Sequence, residues 1–331
     1  MSNSHPEHSQ SSQQHSGTNA NPSATPAFWH NDGTDIRIPV PREFSFAENY
    51  SHLATATNES LYTLVDGAIY KAIAVNQQAT VVEITAEDST YIRIRFIDEP
   101  HWDSPELRAG VAQYVYDWFD LGTDLAPFYE MAKNDPLLKE AIVSFYGLRN
   151  MGIPDLYEAI CWGILGQQIN LGFAYTLKRR FVEQFGQALL REGRSYWLFP
   201  TAEQIAGLTV EQLSAAGITT VKKCEYLIDT ARRIAEGTLS KEQLLQAGDV
   251  KQAEKMLVQI RGIGPWTAHY VLMRCLRMPS AFPIDDVGLH NSIKHVLGLE
   301  AKPTKAHILE LSAGWSLWES YATFYLWRFL Y

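Results

Sequence analysis

The stretch from Leu257 to Leu289 constrains this chain more than any other. It opens Leu257-Val258-Gln259-Ile260, with apolar residues at helical spacing. Gly262-Ile263-Gly264 then breaks the helix, and Pro265 suits the first turn of the next one. Two glycines around one apolar residue permit a tight turn with positive φ. They also leave backbone N–H groups bare at a helix N-terminus, where an anion such as a phosphate can approach. Trp266 and Tyr270 stand at i and i+4 and share a face of the second helix. A turn follows, Phe282-Pro283-Ile284-Asp285-Asp286-Val287-Gly288-Leu289, which carries two carboxylates. Taken singly, a glycine turn is an ordinary helical hairpin and an Asp before a helix is an ordinary cap. The Trp, the Tyr and the placed Asp pair together point to a built site.

This combination resembles the helix-hairpin-helix DNA glycosylases of base-excision repair, and within them the DNA-3-methyladenine glycosylase II type. There the hairpin reads Gly-Ile-Gly-x-Trp-Thr-Ala, as over Gly262–Ala268, and the catalytic Asp follows the Trp at a fixed offset. That offset of 20 residues picks Asp286 and not Asp285. The resemblance implies a mainly α fold with an N-terminal α+β domain. It covers residues from about 124 to 331 well and 27–122 loosely.

Cys161, Cys224 and Cys275 are scattered in apolar settings and read as small buried residues. Their spacing fits neither a zinc site nor an iron–sulfur cluster. The net charge of −9 sits awkwardly with DNA binding, but its distribution is uneven. Residues 1–120 hold six Lys/Arg against 16 Asp/Glu, and residues 121–331 hold 22 against 21. A near-neutral domain can bind DNA through a local patch and backbone amides. No apolar run reaches the length of a membrane span. No Lys or Arg precedes Arg37, unlike a secretory or transit segment. A cytoplasmic, monomeric protein without membrane contact is expected.

Residues 1–26 are Ser, Gln, Asn, His and Pro with almost nothing apolar, a composition expected to stay disordered. Residues 27–122 read as an α+β unit. Ala79–Ile84 and Tyr91–Phe96 are strand-like, and another strand fits between Tyr62 and Ala74. Asp103 or Ser104 caps a helix to about 120. Residues 123–331 read as helical throughout. Asp155 caps a helix ending in Gly166-Gln167-Gln168-Ile169-Asn170, and a second runs from Leu171 to Gln184. Asn170 and Lys178-Arg179-Arg180 are candidate phosphate contacts. Lys222, Lys223, Arg232 and Arg233 are expected on the polar side of an amphipathic helix over 219–236. Ile-Leu-Gly-Gln-Gln-Ile resembles the family's turn whose side chain fills the gap left by an extruded base. The wedge position is Gln168, where leucine stands in the enterobacterial-type enzyme. The segment from Trp315 to Trp327 resembles the family's C-terminus, whose last Trp stands in the base pocket.

The resemblance implies a monofunctional hydrolase of the N-glycosidic bond of alkylated purines in damaged double-stranded DNA, with no cofactor required. Asp286 is the catalytic candidate, and Asp285 is expected to cap the next helix or orient Asp286. Trp266, Tyr270 and Trp327 are the base-binding candidates, since aromatic faces attract a cationic base. Gly262, Ile263, Gly264, Thr267 and Gln168 are the DNA-binding candidates. The backbone carbonyls of Val258, Ile260 and Ile263 are expected to hold a monovalent cation, as family hairpins do. Two alternatives remain at this level. One is an oxidised-purine glycosylase/lyase, which needs a Lys where Trp266 stands. The other is a non-catalytic helix-hairpin-helix DNA-binding protein, which needs neither Asp286 nor the aromatic pair.

Overall fold

The structure, a computed structural model, describes Met1 and residues 28–330 apart from 57, 77, 98–103 and 219. Met1 aside, the expected tail over 1–26 lies outside the described residues. The N-terminal unit is an antiparallel sheet of β1 (His30–Asp32), β2 (Asp35–Pro39), β3 (Thr63–Val65), β4 (Ala68–Val75), β5 (Gln78–Ala86) and β6 (Tyr91–Phe96). Its strand order is β1-β2-β6-β5-β4-β3. Alternation in β6 buries Ile92 and Ile94 on one face. On the other, Arg93 pairs with Asp35 and Arg95 with Glu83. The segment read as one strand over 62–74 is a hairpin, β3 and β4. Asp66 and Gly67 both have positive φ, as a two-residue turn that matches strand twist requires.

Two helices belong with this sheet. α1 (Phe46–Ala54) is capped by Ser45, and α2 (Pro105–Trp118) by Ser104, whose side chain accepts from Leu107 N–H. Leu107, Val111 and Val115 of α2 pack with Ile69, Ile73 and Ile84 of the sheet. The chain then runs through α3 (Ala126–Ala132), α4 (Ala141–Ser144), α5 (Leu156–Leu165) and α6 (Leu171–Phe185).

The expectation of helix alone after 123 is corrected here. A hairpin, β7 (Gln187–Arg191) and β8 (Arg194–Leu198), follows α6. Its turn, Glu192-Gly193, has positive φ at both residues. Leu189 and Tyr196 bury against Ala72 and Val81 on the outer face of the N-terminal sheet. Each strand buries a single large side chain, too few to produce a readable alternation.

The rest is helical: α7 (Ala202–Ala206), α8 (Val210–Ala215), α9 (Val221–Ala235), α10 (Lys241–Gln246), α11 (Val250–Val258), α12 (Pro265–Arg274), α13 (Val287–Leu297), α14 (Lys305–Leu311) and α15 (Glu319–Trp327). The apolar core is continuous from Ile36 in the sheet to Leu326 in α15. The three cysteines are buried and unpaired, as their surroundings in the sequence suggest.

One buried cation ties the N-terminal unit to the helices. Arg149 is fully buried and donates to the carbonyls of Glu43, Asp120 and Thr123. Its own N–H donates to Asn49 of α1 at 2.9 Å. Arg149→Met would keep the bulk and leave three carbonyls without this partner. A loss of about 3 kcal/mol or more is expected. Urea unfolding checks it, and a loss below about 1 kcal/mol would show that the carbonyls find other partners.

Candidate active site

α11 ends at Val258, and the chain turns through Ile260 to Gly264. The N–H groups of Ile260 and Ile263 donate to the carbonyls of Leu257 and Ile260, each at 3.0 Å. Gly262 has φ +94°, where glycine is favoured. Space demands glycine as well, because a Cβ there would lie 2.3 Å from the Tyr226 ring of α9. Gly264 is the N-cap of α12, and the space beside its Cα is open. The first helical bond runs from Ala268 N–H to Gly264 carbonyl at 2.9 Å. Pro265 has no N–H, so the amides of Trp266 and Thr267 have no partner within the helix.

Not every DNA-binding candidate presents a side chain. Ile263 and Thr267 are buried. Thr267 sits against α5, where a Cβ on Gly163 would meet its methyl group at 2.4 Å. What these two residues offer outward is backbone. The turn after α5 is joined to the hairpin by Gln167, whose Nε2 donates to Gly262 carbonyl at 2.8 Å. Its neighbour Gln168 is exposed and has φ +57°, an uncommon left-handed conformation for a residue with a side chain. Asn170 caps α6, accepting from Phe173 N–H at 2.9 Å.

Asp286 is where the elements converge. It is the N-cap of α13, and its Oδ1 accepts from Leu289 N–H at 2.7 Å. The same oxygen accepts from Trp327 Nε1 at 2.8 Å, and Oδ2 accepts from Trp266 Nε1 at 2.8 Å. Gly288 makes room for this: a Cβ there would lie 2.8 Å from Asp286 Oδ1 and 3.2 Å from the Trp327 ring. Trp266 stacks on Tyr270 with centroids 5.5 Å apart and planes at 26°. Tyr270 and Trp327 are 6.4 Å apart at 31°. The three aromatic candidates and the carboxylate are therefore one cluster. Asp285 does something else. It is exposed and paired with Lys305 at 2.8 Å, so it neither caps α13 nor touches Asp286, contrary to the expectation.

The cluster opens on a cavity of about 930 Å³. Trp266, Tyr270, Asp286 and Trp327 line it, and so do Glu158 and Lys178. Lys178 corrects a second expectation. It is buried, not phosphate-facing, with Nζ 2.9 Å from Glu59 and 3.0 Å from Glu158. Burial works against its charge, yet Glu158 and Glu59 outweigh that and hold the ammonium above the ordinary lysine range. Nothing local signals this group, since Glu59 is 119 residues from Lys178. Lys223 is likewise buried and not on a polar face; it donates to Leu165 carbonyl at 2.8 Å. Arg179 is exposed beside Glu183, and Arg180 is exposed too. Among the described residues no group of His, Cys, Asp and Glu could hold a metal ion, and no helix is long and apolar enough to cross a membrane.

Comparison with known proteins identifies the family. Residues 161–317 match the family model for the HhH-GPD superfamily base excision DNA repair protein. Residues 48–160 match that for the 8-oxoguanine DNA glycosylase N-terminal domain. The chain is 50% identical over 303 residues to a DNA-3-methyladenine glycosylase of Bacillus subtilis (strain 168), covering 92% of this chain and 99% of that one. It is 33% identical over 181 residues to DNA-3-methyladenine glycosylase 2 of Escherichia coli (strain K12), covering 55% of this chain and 60% of that one. The solved 3-methyladenine DNA-glycosylase from Archaeoglobus fulgidus shares the fold, with a TM-score of 0.75 at 22% identity over 88% of this chain and 97% of that one. The expected fold, mainly helical with an N-terminal sheet unit, is the one found, and the chain belongs to the HhH-GPD superfamily of base excision DNA repair proteins.

Proposed function

We propose that the protein is a monofunctional DNA glycosylase that hydrolyses the N-glycosidic bond of alkylated purines, 3-methyladenine and 7-methylguanine among them, and leaves an abasic site. The observation that carries this reading is the Asp286 carboxylate clamped by two indole N–H groups on the wall of an aromatic cavity. The relatives named DNA-3-methyladenine glycosylase support the alkylated-purine class.

A base stacked in a duplex is out of reach, so the nucleotide must be extruded. The base then lies against Trp266, Tyr270 and Trp327. Alkylation at N3 or N7 makes a purine cationic, and such a base is drawn to aromatic faces and leaves more readily. Breaking the bond puts positive charge on the sugar, and the Asp286 carboxylate stabilises it. Three of roughly four acceptor positions on that carboxylate already hold N–H donors, which leaves about one for an attacking water. Its main contribution is therefore electrostatic. The bare amides at the start of α12 take a DNA phosphate. The exposed Gln168 enters the gap in the stack. The carbonyls of Val258, Ile260 and Ile263 line the same turn and offer oxygen ligands that suit a monovalent cation; such an ion would bridge the hairpin to a phosphate. The partner is damaged double-stranded DNA, met by a monomer in the cytoplasm.

The lyase alternative needs a free amine near the sugar. Position 266 is Trp, and the two lysines that line the cavity are engaged. Lys178 sits between two glutamates, and Lys71 donates to Leu61 carbonyl at 3.1 Å over the rings of Tyr114 and Trp118. On methylated duplex DNA, base release is expected with strand cutting only after hot alkali. Borohydride is expected to trap no covalent adduct. Cutting without alkali together with a trapped band would establish a lyase, and no base release at all would establish a binding module.

Trp327 has two separable roles, a ring face and an N–H on Asp286. Trp327→Phe keeps the face and is expected to slow release of cationic 7-methylguanine and neutral hypoxanthine alike. Trp327→Leu removes the face too. Relative to the Phe variant it should lower 7-methylguanine release a further five- to thirtyfold or so, and hypoxanthine release less. Single-turnover rates with thermal unfolding check this. Equal further losses that track a lower melting point would show Trp327 to be core.

A further inference from the structure

The cavity that takes in the aromatic cluster is also lined by a pair of groups that the reaction described above leaves unused. Glu158 on α5 is 8% exposed and lines the cavity. Its Oε1 accepts from Lys178 Nζ at 3.0 Å. Its Oε2 takes no hydrogen bond among the described residues. Tyr175, one turn before Lys178 on α6, shares that helix face and lines the same cavity. Its ring rests on Trp162 at 4.7 Å, while its hydroxyl has no hydrogen-bond partner among the described residues. A carboxylate oxygen on the lining of a cavity can accept a donor from whatever enters it.

Tyr270 lines the same cavity. Burial raises its phenol, which lies within electrostatic reach of both Glu158 and Asp286. Glu158 and Tyr175 line the same cavity as Asp286 and the three aromatic residues, so a purine held with its sugar at Asp286 can turn its amino edge to Glu158. Lys178 fixes the Glu158 side chain, and Glu59 takes up part of the lysine's charge, so the carboxylate is positioned without being neutralised.

We propose that Glu158, held by Lys178, is a specificity-determining residue that accepts a hydrogen bond from the exocyclic amino group of an extruded, positively charged purine, with the Tyr175 hydroxyl as a second contact to the same base. This rests on the glycosylase reading above and deepens it. Aromatic faces select for charge and flatness alone. A carboxylate at the far end adds a requirement for an N–H donor and rewards a cationic base a second time.

The test uses the full chain with Glu158→Gln and Tyr175→Phe. Three quantities are measured: single-turnover release of 7-methylguanine, affinity for a duplex bearing an abasic-site analogue, and the thermal midpoint. The abasic duplex offers no base, so it reports everything except this contact. Glu158→Gln is expected to slow release at least about tenfold and to leave abasic-duplex affinity within about twofold. Unchanged release, or parallel losses in release and affinity with a lower midpoint, would overturn the proposal and make the cluster structural. Should Glu158→Gln not fold, Tyr175→Phe decides, because it leaves the Lys178 pairs and the Trp162 contact in place. A fall in release of about threefold or more at an unchanged midpoint supports the contact, and an unchanged rate contradicts it. A wild-type chain that binds the abasic duplex but releases no 7-methylguanine would contradict the glycosylase reading instead.

Discussion

Two indole N–H groups on one carboxylate hold the site together. Trp266 comes from α12, Trp327 from α15, and Asp286 stands at the head of α13 with a backbone N–H of that helix on the same carboxylate. Each donor comes from a different part of the sequence, so the carboxylate is oriented only when the hairpin, α13 and the C-terminus have all packed. The same bonds fix the planes of the two indoles, and Tyr270 fills the space between them. Arg274 then braces Tyr270 from its own helix, donating to the phenol oxygen at 3.2 Å with its guanidinium 5.5 Å from the ring centre. Aromatic wall and carboxylate are thus one hydrogen-bonded object, and no change to one leaves the other untouched.

Features built from neighbouring residues were legible in the sequence. The hairpin over 257–268, the cap at Asp155 and the strand over 91–96 all appear where local chemistry put them. The resemblance added Asp286 and Trp327, which periodicity alone could not have joined. The division of labour between the two aspartates was misread. Val287 is the first helical residue, so the residue before it, Asp286, is the cap as well as the site carboxylate. Asp285 points to solvent and Lys305. What could not be read depends on long-range packing. Lys178 looked like one of three consecutive cations on a helix, and only the fold brings Glu59 to it. The hairpin over 187–198 carried its signal in a Glu-Gly turn, between strands too weakly patterned to notice.

The acidity of the N-terminal third also finds a structural place. Asp35, Glu83 and Glu87 are paired with arginines across the sheet, and Glu59 is buried against Lys178. Those four carboxylates have cationic partners within the protein. The contrast between the two ends of the cavity follows from this. One end is made by the hairpin and the C-terminus, from indoles and a carboxylate they clamp. The other is made where α5 and α6 meet the loop before β3, from two glutamates that share one buried lysine.

The account stands on Asp286 as the group that meets the developing positive charge. The direct measurement is single-turnover base release from methylated duplex DNA by Asp286→Asn and, separately, Asp285→Asn, with DNA affinity measured for both. Asn keeps the shape of Asp286 and an acceptor oxygen for one of the indoles, while its amide N–H2 faces the other and the charge is lost. Release is expected to disappear in Asp286→Asn while affinity stays within about fivefold, and to persist in Asp285→Asn. An active Asp286→Asn beside an inactive Asp285→Asn would contradict the account.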